Sequence, residues 1–345
     1  MKMHRGLFPL TSSKGLERPH GPGPLGAPDI PMISLVATVK AAKPDLDRFV
    51  AYHLNTGVAH IYLFFDDPAD PALPAFAGME RVTATACTLE GWRAASIRPQ
   101  DGIEARQIHN ANAAMTWARA SGAQWLLHLD SDELIYTPSD NLAAWLDSRP
   151  LNIDAVIFPV LEAIPRALAR GHPFQACLLF KTIPRSDVAR LRLAARLGCR
   201  RALRYGYFRG HIAGKTASRV RADVDDVGIH FPTRAAGPPL RVETAGDAYV
   251  LHYDGCTFEA WRQKWARRRD GTGLARNMRP ERRRQFDDFL VAADTGSRAA
   301  LEREFRRQCL IPLYEQAILW ALGLARPIRL RSDLLTSPGE NAARG

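Results

Sequence analysis

The run Gly122-Ala123-Gln124-Trp125-Leu126-Leu127-His128-Leu129-Asp130-Ser131-Asp132-Glu133-Leu134-Ile135-Tyr136 decides how the rest of this chain is read, because an apolar segment breaks abruptly into three acids. Trp125, Leu126, Leu127 and Leu129 predict a buried strand, and Asp130, Asp132 and Glu133 fall where it should end. In α/β sheets, ligands gather at the carboxyl ends of strands. Carboxylates two residues apart point the same way while the chain stays extended, so Asp130 and Asp132 can grip one hard cation between them. The plainer alternative has them capping the next turn and facing water.

Upstream, Ile33 to Val39 is β-branched and apolar, and Asp45 opens a helix with Leu46, Phe49, Val50, His53 and Leu54 on one face and Gly57 as its stop. Ile61 to Phe65 follows and ends in Asp66-Asp67-Pro68. Strand, helix, strand is the unit of a parallel sheet. Val82 to Cys87 is a further apolar patch, and Asp101 with Glu104 predicts a capped helix running to about Ser121, where Gly122 ends it. Downstream, residues 139 to 148 predict a short helix and Ala155 to Phe158 a buried strand. Ala248 to Tyr253 returns to strand character, and Thr257 caps a helix in which Phe258, Trp261 and Trp265 recur at core spacing. Phe286, Phe289 and Leu290 mark one later helix, and Leu301, Phe305 and Leu310 the next. The predicted organisation is a flexible Gly/Pro/Ser-rich leader over 1–31, an α/β domain over 32–256, and a helical extension over 257–345.

At 345 residues, 46% hydrophobic and 24% charged, the chain can bury a large core in one big domain or two small ones. Its 47 Lys and Arg against 36 Asp and Glu leave a formal charge of +11, which favours anionic partners: nucleotides, nucleic acid or acidic lipid. Between Arg185 and Arg221 eleven basic residues stand against the single acid Asp187, a basic insertion for which a solvated face is the plain reading. The five cysteines have no CxxC or zinc spacing and suit a reducing compartment. No apolar run is long enough to span a bilayer, and the expectation is a cytoplasmic protein, at most peripheral on the inner face of an anionic membrane.

Asp66, beyond the second strand, is placed to accept ribose or base hydrogen bonds, with a solubilising Asp-Pro turn as its rival. His230 and His252 each compete for the place of third metal ligand, although a lone histidine among apolar residues is more often a core residue. Glu162, just past the Val156 to Phe158 strand, is the first candidate for a general base and Asp254 the second.

Taken together, these residues resemble a GT-A type nucleotide-sugar glycosyltransferase of the bacterial family-2-like kind, close to the family 92 group. The resemblance is carried by Tyr52-His53 through Gly57-Val58 to His60-Ile61-Tyr62 and Asp66, and by Trp125 to Leu134. It is carried further by Gly214-Lys215 with Arg219 and His230, and by Leu251-His252-Tyr253 leading to Phe258, Trp261 and Lys264. It implies a GT-A, Rossmann-like, mainly parallel sheet flanked by helices, and a metal, Mn2+ or Mg2+, held by Asp130, Asp132 and His230. It further implies a nucleotide-diphosphate sugar donor met by Lys40, Asp66, Arg106, Asp130, Ser131 and Lys215, and a glycan or lipid-linked acceptor, with an inverting outcome in surface polysaccharide synthesis. The chain departs from the family at Ala41-Ala42, where the family usually carries Asn-Glu. Two other readings of the same features are a nucleotidyl or phosphoryl transferase using the same acids, and a basic module binding nucleic acid or anionic membrane; nucleic acid is the less favoured partner.

Overall fold

The computed structural model describes residues 32–98, 101–165, 172–184, 186–197, 208–221, 223–224, 226–270 and 278–336. The first half alternates strand and helix: β1 (Ile33–Val39), α1 (Lys43–Asn55), β2 (Val58–Phe65), α2 (Leu73–Ala77), β3 (Val82–Ala86), α3 (Leu89–Ala94), α4 (Gly102–Ala120), β4 (Trp125–His128), β5 (Glu133–Tyr136) and α5 (Leu142–Asp147). Next come β6 (Ala155–Phe158), β7 (Val160–Ala163), α6 (Pro173–Ala176), β8 (Leu179–Lys181), α7 (Asp187–Leu197), β9 (Lys215–Arg219), β10 (Val242–Thr244) and β11 (Tyr249–His252). Four helices, α8 (Phe258–Arg269), α9 (Pro280–Asp294), α10 (Arg298–Cys309) and α11 (Leu313–Ala321), precede β12 (Ala325–Pro327) and a 3-10 turn at Ser332–Leu335.

The larger sheet has seven strands in the order β10-β6-β9-β4-β1-β2-β3. Every neighbouring pair runs parallel except those made by β9, which lies antiparallel between β4 and β6. The expected α/β class, a mixed and mainly parallel sheet flanked by helices, is what the chain forms. β1 reads as an unbroken apolar run because both of its faces are covered. Ile33, Leu35, Ala37 and Val39 join the cluster that includes Phe49 and Val50 of α1, while Val36 joins Ala111, Ala114 and Ala118 of α4 on the other side. Each such large apolar side chain contributes roughly 1.5–3 kcal/mol on burial.

Two helix starts differ from the sequence expectation. α1 begins at Lys43, with Pro44 presetting the first turn, and Ala42 stands at the N-cap with no side-chain cap. Asp45 instead accepts from His172 Nε2 at 2.7 Å. Asp101 does sit at the N-cap of α4, but its carboxylate takes the Arg98 backbone N–H and guanidinium rather than capping the helix. The stops hold: Gly57 and Gly122 adopt positive φ, at 104° and 76°. At Gly57 a Cβ would also stand 2.8 Å from that of Ala143.

The second sheet, β12-β8-β7-β11-β5, sits beside the first and is mostly antiparallel. Its outer strand comes from the far end of the chain, so the segment expected to be purely helical from 257 onwards turns back into the main body. Ile328, Leu330, Leu334 and Leu335 enter the same core as α1, and Asn55 donates to the Leu334 and Thr336 carbonyls. The intervening helices have a core of their own, with Trp261 and Trp265 against Phe286 and Phe289, as their spacing predicts.

Candidate active site

Lys40, Asp66 and Asp130 follow β1, β2 and β4 at the carboxyl ends of three adjacent parallel strands. Between Asp130 and Glu133 the chain turns sharply: the Glu133 N–H donates to the Asp130 carbonyl, and the Asp130 N–H donates to Glu133 Oε2 at 2.8 Å. Ser131 and Asp132 occupy the tip, half-buried. The acids therefore do not extend one strand. They cap a turn that feeds β5, which is why Asp130 and Asp132 are held by different partners.

Because β9 runs antiparallel to β4, its first residue, Lys215, arrives beside the end of β4. The Lys215 side chain is fully buried, with Nζ 2.9 Å from Asp130 Oδ2 and 3.4 Å from Glu133 Oε2. Burial pulls the ammonium pKa down, and the two carboxylates more than reverse it. For Glu133, burial pushes the pKa up and Lys215 overcomes it, holding the group at about 2. Asp130, which also accepts from Gln107 Nε2 at 2.6 Å, is likewise depressed: burial opposes and Lys215 wins.

The second sheet lays a row of buried polar side chains behind this turn. β5 pairs with β11 so that Glu133 lies opposite His252, β11 with β7 so that His252 lies opposite Glu162, and β7 with β8 so that Glu162 lies opposite Lys181. Lys181 Nζ is 2.5 Å from Glu162 Oε1. Glu162 also accepts from Arg209 Nε at 3.3 Å and from the backbone N–H groups of Arg209 and Gly210, at 2.9 and 2.7 Å. Its carboxylate is thus saturated and shut off from solvent. Burial raises its pKa, but Lys181 and Arg209 bring it to about 2. The expectation of Glu162 as general base gives way on these grounds: an acid with every lone pair committed to buried donors cannot take a proton from a substrate. Its work is to fix the loop from Phe208 to Gly214, which Arg279 clamps from the other side through the Phe208 and Gly210 carbonyls.

That loop delivers His211, which no motif or spacing singles out. His211 Nε2 lies 2.5 Å from Glu133 Oε1, and its Nδ1 is buried with no hydrogen-bond partner among the described residues. Gly210 is packed so closely on His252 that a Cβ there would stand 2.1 Å from Cε1. His252 Nδ1 is buried and without a partner as well, while its Nε2 stands 3.8 Å from Asp132 Oδ2. Asp132, His252 and Asp254 have ligand atoms within 4.8 Å of one another, as do Glu133, His211 and His252. Two carboxylates and an imidazole with an uncommitted nitrogen fit a divalent cation such as Mn2+ or Mg2+. His230, the third ligand implied by the resemblance, belongs to neither group: its Nδ1 faces the Gly214 carbonyl and its ring packs against that of His211, centroids 5.0 Å apart.

Asp254, the second candidate base, is engaged by Lys264 at 2.6 Å and Arg282 at 2.9 Å. Burial raises its pKa, but Arg282 and Lys264 hold it well below the usual carboxylate range. Lys264 Nζ also lies 3.1 Å from Asp132 Oδ2, bridging the two acids. It projects from α8, which Trp261 and Trp265 anchor, together with Arg267 and Arg268. Arg267 donates to the Lys40 carbonyl, and Arg268 has its pKa lowered to about 10 by burial and by the neighbouring Arg282. Cations gather here in excess of the acids, a setting that draws in a multiply charged anion.

At the other edge, Asp66 and Arg106 form a bidentate pair at 2.6 and 3.1 Å, so these two expected donor contacts meet each other. Lys40 Nζ is 3.8 Å from Asp67. Of the predicted residues, the fold brings Asp130, Ser131, Asp132, Lys215, His252 and Asp254 into one locus with His230 at its margin. Sequence reading misses Glu133, His211 and Lys181 as partners, because they are joined only through strand pairing and a distant loop.

No protein-family model matches this chain. It is similar to two glycosyltransferase-like proteins of Arabidopsis thaliana, each 24% identical, over 318 residues (85% of this chain) and 334 residues (89%). The chain spans 67% and 61% of their respective lengths. Among solved structures, the 4-diphosphocytidyl-2C-methyl-D-erythritol synthase of Anaerococcus prevotii covers 55% of this chain and 70% of its own at 10% identity and a TM-score of 0.29, a likeness too distant to argue from.

Proposed function

We propose that the protein is a metal-dependent glycosyltransferase that takes a nucleotide-diphosphate sugar as donor and a hydroxyl as acceptor. The observation that carries this reading is the meeting, at the carboxyl end of β4, of Asp132, His252 and Asp254 with the cationic face of α8. The similarity to glycosyltransferase-like proteins supports the same class. Asp132, His252 and Asp254 would hold the ion, which when bound neutralises a diphosphate and eases its departure. Lys264, Arg267 and Arg268 supply further positive charge on the side where that leaving group develops. Lys215 keeps Asp130 and Glu133 ionised, and Glu133 orients His211. With Nε2 donating to Glu133, His211 Nδ1 presents a lone pair as a site for the proton of an acceptor hydroxyl, while the other unpartnered imidazole of this locus, His252, is assigned to the ion.

Calorimetric titration with a panel of nucleoside diphosphates, with and without Mn2+, tests the reading directly. Manganese-dependent binding of at least one diphosphate, lost in Asp132→Ala, is the expected result, followed by sugar transfer or donor hydrolysis with that nucleotide. Binding of none in the wild type overturns it, and turnover of nucleoside triphosphates in its place would mark a nucleotidyl transferase.

A further inference from the structure

We infer that the outward faces of α7 and α11 form a docking surface for an anionic lipid bilayer. The two helices share an inner apolar cluster, to which α7 contributes Leu193 and Leu197 and α11 contributes Leu319. At 100° per residue, Val188, Leu191 and Ala195 lie opposite these on α7, and Tyr314 and Ala317 lie opposite Leu319 on α11, with Leu313 and Trp320 next to them. A helix with one buried face ordinarily puts charge on the other. Here Leu313 is 82% exposed, Leu191 70% and Trp320 56%, and Val188 and Tyr314 are exposed with them. The one charged residue of α11, Glu315, points inward and is buried. Large apolar side chains grouped in this way on a surface mark an interaction site.

Charge identifies the occupant. Arg192 and Arg196, both exposed, flank the outer stripe of α7, and the whole chain has a formal charge of +11. A two-fold contact with a second copy would set these arginines against their own equivalents. A surface of anionic headgroups neutralises them, while Leu313 and Leu191 enter the acyl boundary and Tyr314 and Trp320 sit at headgroup level, as amphipathic aromatic rings do. No helix among the described residues is long and apolar enough to cross a membrane, and α11 would lie in the interface plane. The inference is independent of the catalytic reading.

Cosedimentation of the full chain with phosphatidylcholine vesicles, and with vesicles containing phosphatidylglycerol, decides the matter. Binding is expected to the anionic vesicles and to weaken with salt. Arg192→Gln with Arg196→Gln should weaken it about thirtyfold, from about 1 kcal/mol per charge near an anionic surface. Leu313→Glu with Trp320→Ser, and separately Leu191→Ser, should each weaken it about tenfold or more with an unchanged thermal midpoint, since these side chains are exposed. Three results would overturn the inference: no retention on anionic vesicles, retention that all of these variants leave intact, or a wild-type dimer by light scattering that Leu313→Glu splits while vesicles are ignored.

Discussion

Lys215 shows how much of the site depends on single buried charges. Replacing it with Met strands Asp130 and Glu133 without their counter-ion, which should cost about 3–5 kcal/mol of unfolding free energy in a denaturant titration. The pH dependence has a defined sign. Glu133 titrates at about 2 in the folded chain, below the ordinary carboxylate value of about 4.3, so its ion pair stabilises fully above that ordinary value and the contribution is lost as pH falls toward about 2. Unfolding midpoints measured down this window should fall steeply for the wild type and more shallowly for Lys215→Met. Gly210→Ala drives a Cβ into the His252 ring and should cost roughly 1–3 kcal/mol while displacing the imidazole proposed to hold the ion, so weakened Mn2+ binding should accompany the lowered midpoint. Lys264→Met acts the other way on the ion: it removes an ammonium that bridges Asp132 and Asp254, and Mn2+ affinity by calorimetry should rise about tenfold. His211→Asn should keep nucleotide affinity and lower kcat by about a hundredfold to ten-thousandfold, as loss of a general base does.

Among the elements, what is legible in the sequence follows from burial geometry. β1, β2 and β4 announce themselves because parallel strands covered on both faces are continuously apolar, and the acids after β4 stand out because they interrupt such a run. β5 is hidden, since Glu133 to Tyr136 reads as the tail of the same segment until the turn at Asp130 is seen to reverse it. β9 is hidden for another reason: Lys215 to Arg219 is polar in composition yet buried along its whole length, its charges paired across the sheet or, for Arg219, stacked on Trp125. No local pattern foretells a lysine at zero exposure. The histidines show the same limit, as His252 owes its place to lying opposite Glu133 and Glu162, and His230 lacks that register. In α8 the periodicity is sufficient, because Trp261 and Trp265 need only their own helix and the facing Phe286 and Phe289. Trp265→Ala should cost about 3–5 kcal/mol and weaken nucleoside diphosphate binding together, since the same helix turn carries Lys264.

For the molecule as a whole, the helical segment after β11 is part of the site rather than an appendage, because Lys264 and Arg282 satisfy the acids that follow β4 and β11. The last described strand has a further consequence. β8 carries Lys181, the outer end of the buried polar row, and its free edge is covered only when Ala325 to Pro327 pairs with it. The residues just after β12, Ile328, Leu330, Leu334 and Leu335, lie in the core beneath α1, which is translated well before them. A polypeptide growing from its amino end must therefore keep an open strand edge and an unfilled apolar seat on α1 until these residues have been synthesised. Chains that stop before Ala325 expose both together, which hands quality-control proteases and chaperones a signal that chains carrying this segment do not display.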